Sequence, residues 1–275
     1  MMNTQWNEET RDPESCKVAP SIAHSLSRTV SSKCMDYSRT EAIYPTAIQF
    51  IESVLQLAPR VAAFDCDGTL WSGDAGETFF GWELKRGVVS QEVGRAMRAR
   101  YAEYKVGNVS EEDMCGEMVT MHKGLSDSAM METATEFMTS HFPGRMFSEM
   151  KQLVQQLHGQ GCEIWAVSSS NEWLIRAGMK EFDIPENRIL AAKAELDHGI
   201  VTDKLVRVPS GPGKPKALRE VVGKEIHAAF GNSRWDVDML AMATHAFAVN
   251  PNPDLEATAQ EHGWTIYFPD GTSRR

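Results

Sequence analysis

Four short apolar runs, each closed by polar or turn-forming residues, constrain this chain more than any other feature. They cover residues 61–64, 164–167, 226–230 and 246–249. Each is predominantly apolar and too short for a buried helix, the pattern of a strand covered on both faces. Helical spacing lies between them, as in Met150-Leu153-Val154-Leu157 and Ala217-Leu218-Val221-Val222. This alternation predicts an α/β fold, a doubly wound, Rossmann-like parallel sheet flanked by helices. Residues 264–268 offer a final strand. Ala47-Ile48-Phe50-Ile51-Val54-Leu55 predicts an opening helix that Pro59 ends.

Two stretches depart from the alternation. Residues 76–142 carry helical patterns only, which predicts a small helical cap inserted after the first strand, with the core formed by 41–75 and 143–275. Residues 189–195 and 200–206 flank Asp197-His198-Gly199, a hairpin signal. Residues 1–40 are rich in Ser, Thr and mixed charge without periodicity, and read as a disordered tail.

With 275 residues, the chain is long enough for such a core plus an insert. Its 38 acidic and 28 basic residues leave a formal charge of -10, which disfavours nonspecific nucleic-acid binding. There is no apolar run of about 18 residues, so no membrane span is expected. Five scattered cysteines without a CxxC pair fit a reducing compartment, and the acidic N-terminus lacks the features of a leader. A cytoplasmic location is the expectation. Eight histidines show no ligand spacing, so no zinc site is expected.

The ends of the apolar runs carry the chemistry. The first continues into Asp65-Cys66-Asp67-Gly68-Thr69, placing two carboxylates at the strand end, where open α/β sheets bind ligands. Gly68 and Thr69 permit a turn whose N–H groups can face an anion. One acid can attack phosphorus while the other exchanges a proton with the ester oxygen, although Asp-Gly after a strand is also an ordinary turn. The second run ends in Ser168-Ser169-Ser170-Asn171, hydroxyls that can cap a helix, bind phosphate, or do both. Gly211-Pro212-Gly213-Lys214 presents a cation beside the glycines, a better candidate than Lys216. After the last site segment, Gly231-Asn232-Ser233-Arg234-Trp235-Asp236, oxygen donors suit a hard ion such as magnesium. Asp238 reads as the start of the next helix.

These four segments, in this order, resemble the haloacid dehalogenase superfamily, specifically its phosphoserine-phosphatase-like branch, over about residues 61–249. The resemblance implies a Mg2+-dependent phosphatase acting on a small phosphorylated metabolite. Asp65 would be the nucleophile, forming an aspartyl-phosphate, and also a metal ligand. Asp67 would be the acid/base and lend its main-chain carbonyl to the metal. Gly68, Thr69, Ser168, Ser169 and Lys214 would hold the phosphoryl group, and Asn232 and Asp236 would complete the metal site. An acid at position 67 argues against the dehalogenases, and the absence of Lys there against the ion-pumping ATPases. A phosphomutase and a degenerate, noncatalytic phospho-ligand binder stand as alternatives.

The match departs at Asn232, where the family usually has Asp, which implies weaker metal binding. The cap resembles the one that sets specificity in this branch, so a phosphoserine-like ester is the favoured substrate. Asp74 or Glu77 would hold its amine, and Arg95, Arg98 or Arg100 could meet its carboxylate. Cys66 reads as packing, and Met114-Met118-Met121 as cap core.

Overall fold

The computed structural model describes residues 44–272, so the tail expected over residues 1–40 lies outside the described residues. Seven strands form one sheet: β1 (Val61–Phe64), β2 (Glu163–Asn171), β3 (Ile189–Asp197), β4 (Ile200–Arg207), β5 (Ala228–Gly231), β6 (His245–Val249) and β7 (Thr265–Tyr267). Their order is β4-β3-β2-β1-β5-β6-β7. All neighbours run parallel except β3 and β4. The four apolar runs and the final strand all fall where the sequence placed them.

β1 shows why its run is apolar without alternation. Ala62 and Phe64 enter one core with residues of α1 (Ala47–Gln56) and α6 (Ser148–Gly159). Val61 and Ala63 enter a second with α8 (Gly213–Val221), α9 (Val237–Met242) and α10 (Pro253–His262). Both faces of the strand are therefore covered, and every side chain must be apolar. Phe64 stacks on its register partner Phe230 of β5, with ring centroids 4.1 Å apart. Truncating such a buried ring to Ala costs about 3–5 kcal/mol. On α1, Phe50 stacks at the same distance on Tyr267 of β7, and Thr46 and Gln49 close a capping box at the helix start.

Between β1 and β2 lie α2 (Ala75–Arg86), α3 (Gln91–Lys105), α4 (Glu111–Thr120) and α5 (Asp127–His141), followed by α6. Asp74, Ser90, Ser110 and Ser126 each cap one of these four helices through a side-chain oxygen. The insert divides its apolar surface. Phe79, Ala134 and Phe137 join the main core, whereas Phe80, Met97, Met114 and Met121 form a separate cluster. The methionines thus pack as expected.

The β3–β4 hairpin turns through His198 (φ 49°) and Gly199 (φ 81°), the two left-handed positions of a tight hairpin loop. It also holds the insert. Gly124 N–H donates to Val201 O, Val201 N–H to Leu125 O, and Asp127 N–H to Gly199 O, each at 2.9 Å, which ties the α4–α5 connection to the sheet. No helix among the described residues is long and apolar enough to cross a membrane. With β2 on one side of β1 and β5 on the other, the strand order reverses at β1, and the crevice there opens at the strands' C-terminal ends.

Candidate active site

The chain end of β1 carries Asp65 directly into that crevice. Its N–H still donates to Phe230 O at 2.9 Å, so the ladder fixes the backbone beneath the carboxylate. The turn that follows needs Gly68: φ is 76°, and a Cβ there would overlap the Asn232 amide. Gly231 is constrained in the same way, because Asp236 lies where its Cβ would be. The loops after β1 and β5 are thereby pressed together.

Lys214, in the first turn of α8, enters the same space and is 2% exposed. Its Nζ donates to Asp65 Oδ1 at 2.6 Å, to Asp236 Oδ1 at 2.5 Å and to Val167 O at 3.1 Å, which uses all three protons. Two buried carboxylates and one ammonium form a closed cluster, whose mutual hydrogen bonds offset the cost of removing them from water. Burial, and then the charge of Asp236, pushes Asp65 up to about 6, while Lys214 and Thr69 pull it down. Burial opposes the charge on Lys214, but Asp236 and Asp65 outweigh it and hold the ammonium firmly protonated.

Asp67 occupies a different environment. Its Oδ1 accepts from Trp71 Nε1 at 2.8 Å and Ala75 N at 2.6 Å, and its Oδ2 from Ser170 Oγ at 2.7 Å. Burial, followed by the charge of Asp74, raises it to about 7 against those three hydrogen bonds. Near neutral pH it can therefore hold or release a proton, the requirement for an acid/base group.

Thr69 and Asp236 both have partners within the protein. Thr69 is fully buried, its hydroxyl donates to Asp65 Oδ2 at 2.9 Å and its N–H to Cys66 O, so it orients the carboxylate and has no donor left for a phosphate. Asp236 is engaged within the protein through both carboxylate oxygens. Its Oδ1 receives Lys214, and its Oδ2 receives Asn232 N, Ser233 N and Ser233 Oγ. It positions the lysine and the loop after β5.

Ser168 and Ser169 do reach the cavity above Asp65, as do Gly68, Asn232 and Lys214. This cavity has a volume of about 490 Å³ and opens between the strand ends and the helical insert. Asp74 and Glu77 also line it, but each has a local task. Asp74 caps α2 by accepting from Glu77 N at 2.7 Å, and Glu77 lies 3.6 Å from Lys105 Nζ. None of Arg95, Arg98 and Arg100 lines the cavity, and Arg100 forms a forked pair with Glu117 at 2.8–2.9 Å. Cys66 is buried as packing.

Ser170 and Glu111 were not selected from sequence. Ser170 is one of three identical hydroxyls, and the irregular last residues of β2 turn it toward Asp67. Glu111 left a usable trace. It shares the spacing 111, 114, 115, 118 with Met114, Cys115 and Met118, so it sits on the inward face of α4, and all four line the cavity.

The donor set suits a hard divalent ion. No group of three or more His, Cys, Asp or Glu among the described residues could hold a metal. Asp65, Asp67 and Asn232 line the cavity together and between them carry carboxylate, carbonyl and amide oxygens. Mg2+ fits such a set, since it is commonly held by one or two carboxylates with water and phosphate filling the remaining positions.

Comparison with known proteins gives the chain's family and the relatives of its fold. A family model described as haloacid dehalogenase-like hydrolase matches residues 62–241. A histidinol-phosphatase of Neisseria meningitidis is 25% identical over 218 residues, covering 75% of this chain and 97% of that protein. The phosphoserine phosphatase SerB1 of Mycobacterium tuberculosis is 24% identical over 215 residues, covering 74% and 69%. Among solved structures, a protein of unknown function from Bordetella pertussis superposes with a TM-score of 0.67 at 19% identity, covering 76% of this chain and 97% of that one. A phosphoserine phosphohydrolase-like protein from Francisella tularensis gives 0.51 at 20% identity, covering 76% and 94%. These two likenesses concern the fold.

Proposed function

The chain belongs to the haloacid dehalogenase-like hydrolases, and from that footing we propose that it hydrolyses a small phosphomonoester through an aspartyl-phosphate on Asp65. The observation that carries this reading is the cluster in which Lys214 joins Asp65, Asp236 and the end of β2 at a buried strand edge. It aims one carboxylate at a cavity and places a fixed positive charge beside it, the electrostatic arrangement that phosphoryl transfer needs.

In the first step an Asp65 oxygen forms a bond to phosphorus as the ester P–O bond breaks, and the Asp67 proton passes to the departing alkoxide. In the second, Asp67 takes a proton from water as that water attacks phosphorus, which frees Asp65 and inorganic phosphate. Asp67 suits both tasks because its carboxyl is raised to about 7. Trp71, Ala75 and Ser170 hold it in place through both. Ser168 and Ser169 offer hydroxyls to the phosphoryl oxygens, and Gly68 brings backbone close to them. A magnesium ion held by Asp65, the Asp67 carbonyl and Asn232 would offset phosphoryl charge. Helices α2–α5 act as the cap, which excludes water and selects the alcohol. Phosphoserine-like esters lead as substrates on the strength of two relatives, named as a histidinol-phosphatase and a phosphoserine phosphatase.

The test is release of inorganic phosphate from an aryl phosphate with magnesium and with EDTA. Wild-type protein should turn over only with the metal, and Asp65→Asn should lose on the order of 10⁴-fold or more. An unaltered rate for that variant would remove the mechanism. Isomerisation of a sugar phosphate would favour a mutase, and tight binding without turnover a noncatalytic protein.

A further inference from the structure

The cavity has a second polar centre, remote in sequence from the motifs. Glu111 opens α4 of the insert, is 7% exposed and lines the cavity. Its Oε1 accepts from Ser210 Oγ at 2.9 Å, which fixes the carboxylate without neutralising it. The other insert carboxylates in the wall have protein partners: Glu83 meets His122 Nε2 at 2.8 Å, Glu77 faces Lys105, and Asp74 caps α2. Glu111 forms no ion pair among the described residues. Lys214, whose charge it feels, is committed to Asp65 and Asp236.

A carboxylate buried without a cation is expensive for a fold to keep, and burial raises Glu111 to about 7. Aromatic surface shares the lining with it, since Tyr101 and Tyr104 border the same cavity. A carboxylate next to a ring matches an ammonium group or other organic cation. The same wall lacks a counterpart for an anion. Lys105 is the insert's basic side chain in the lining, and it already faces Glu77 and the Tyr101 ring.

We propose that Glu111 binds the cationic end of the alcohol, so that the preferred substrates are phosphate esters of amino alcohols that carry no carboxylate. This rests on the phosphatase reading above and narrows it: the amine of a phosphoserine-like ester is retained and its carboxylate is disfavoured.

A matched series tests it: phosphoethanolamine, 2-hydroxyethyl phosphate, which replaces the amine by a hydroxyl, and phosphoserine, which adds a carboxylate. Wild-type protein with magnesium should show kcat/KM for phosphoethanolamine roughly 10- to 100-fold above both others. Glu111→Gln, which keeps an oxygen for Ser210, should bring the ratio of phosphoethanolamine to 2-hydroxyethyl phosphate close to one. Calorimetric binding of the three esters to Asp65→Asn reads the same preference without turnover. Preferential binding of phosphoethanolamine with no phosphate release by wild type would sink the phosphatase reading and leave the role of Glu111 standing. Turnover with phosphoserine or the hydroxyethyl ester equal to or ahead of phosphoethanolamine, or a ratio unmoved in Glu111→Gln, would overturn the inference.

Discussion

The floor and the roof of the cavity treat buried charge in opposite ways. On the floor, Asp65 and Asp236 share the Lys214 ammonium, and the remaining oxygens take hydroxyl and backbone donors. In the roof, Glu111 is almost as buried but takes serine hydroxyls and forms no ion pair among the described residues, the nearby Lys214 being committed to the floor. The floor is complete before any ligand arrives, as suits groups that must hold a transition-state geometry. The roof is left incomplete, as suits a group whose partner comes with the substrate. Preorganisation and selectivity are thus separated into different parts of the chain.

The sharpest way to break the comparison is to remove the floor's cation. Lys214→Met should destabilise the protein by about 3–5 kcal/mol, since two buried carboxylates lose the charge that both face. Urea unfolding without magnesium measures this, and activity should vanish with it. A loss below 1 kcal/mol would show that the cluster does not depend on its lysine.

The two regions also differed in how readily the sequence revealed them. Asp65, Asp67 and Lys214 could be selected because each sits where a short apolar run or a Gly-rich turn ends, and strand ends converge in a parallel sheet whatever its loops do. Thr69 and Asp236 are selected with them, but their partners within the protein are not legible in the motif. Adjacency in a motif shows that a side chain is near a site; which of two acceptors a hydroxyl meets depends on tenths of an ångström that only the folded backbone sets. Glu111 lies in Glu111-Glu112-Asp113, three acids in the first turn of a helix, all equally explained by its dipole. Glu112 and Asp113 are exposed, and the rotation of α4 about its axis turns Glu111 inward. That rotation follows from packing of Met114 in the insert's own cluster, a tertiary fact with a faint periodic trace.

Substitution of the roof acid should move stability in the opposite sense. The folded-state pKa of Glu111 lies at about 7, above its ordinary 4.5. Its favourable contribution is therefore full below about pH 4.5 and is lost as pH rises through about 7. Glu111→Gln should leave stability unchanged at acidic pH and raise it by about 1–3 kcal/mol near pH 8. The groups that face this carboxylate and stay in place are Ser169, Ser210, Lys214 and Asp236. Thermal unfolding of both proteins across that range measures the difference. A destabilised glutamine variant at pH 8 would mean that Glu111 is satisfied within the protein, and the contrast between floor and roof would disappear.

The smallest effect concerns Asn232, where the floor carries an amide in place of the Asp that the motif resemblance implies. Its amide is pressed against Gly68, within the set of oxygens that would hold magnesium. Asn232→Asp keeps the size of the side chain and adds one negative charge. That charge should lower the magnesium concentration for half-maximal activity several-fold, because hard ions respond to ligand charge. Without metal it adds like charge near Asp65, so stability should fall by a few tenths of a kcal/mol up to about 1 kcal/mol, and saturating magnesium should restore it. Titrating both proteins with magnesium, by activity and by thermal unfolding, separates the two terms. An unchanged magnesium requirement would place Asn232 outside the metal's reach, and its contact with Gly68 would then serve only to hold the two loops together.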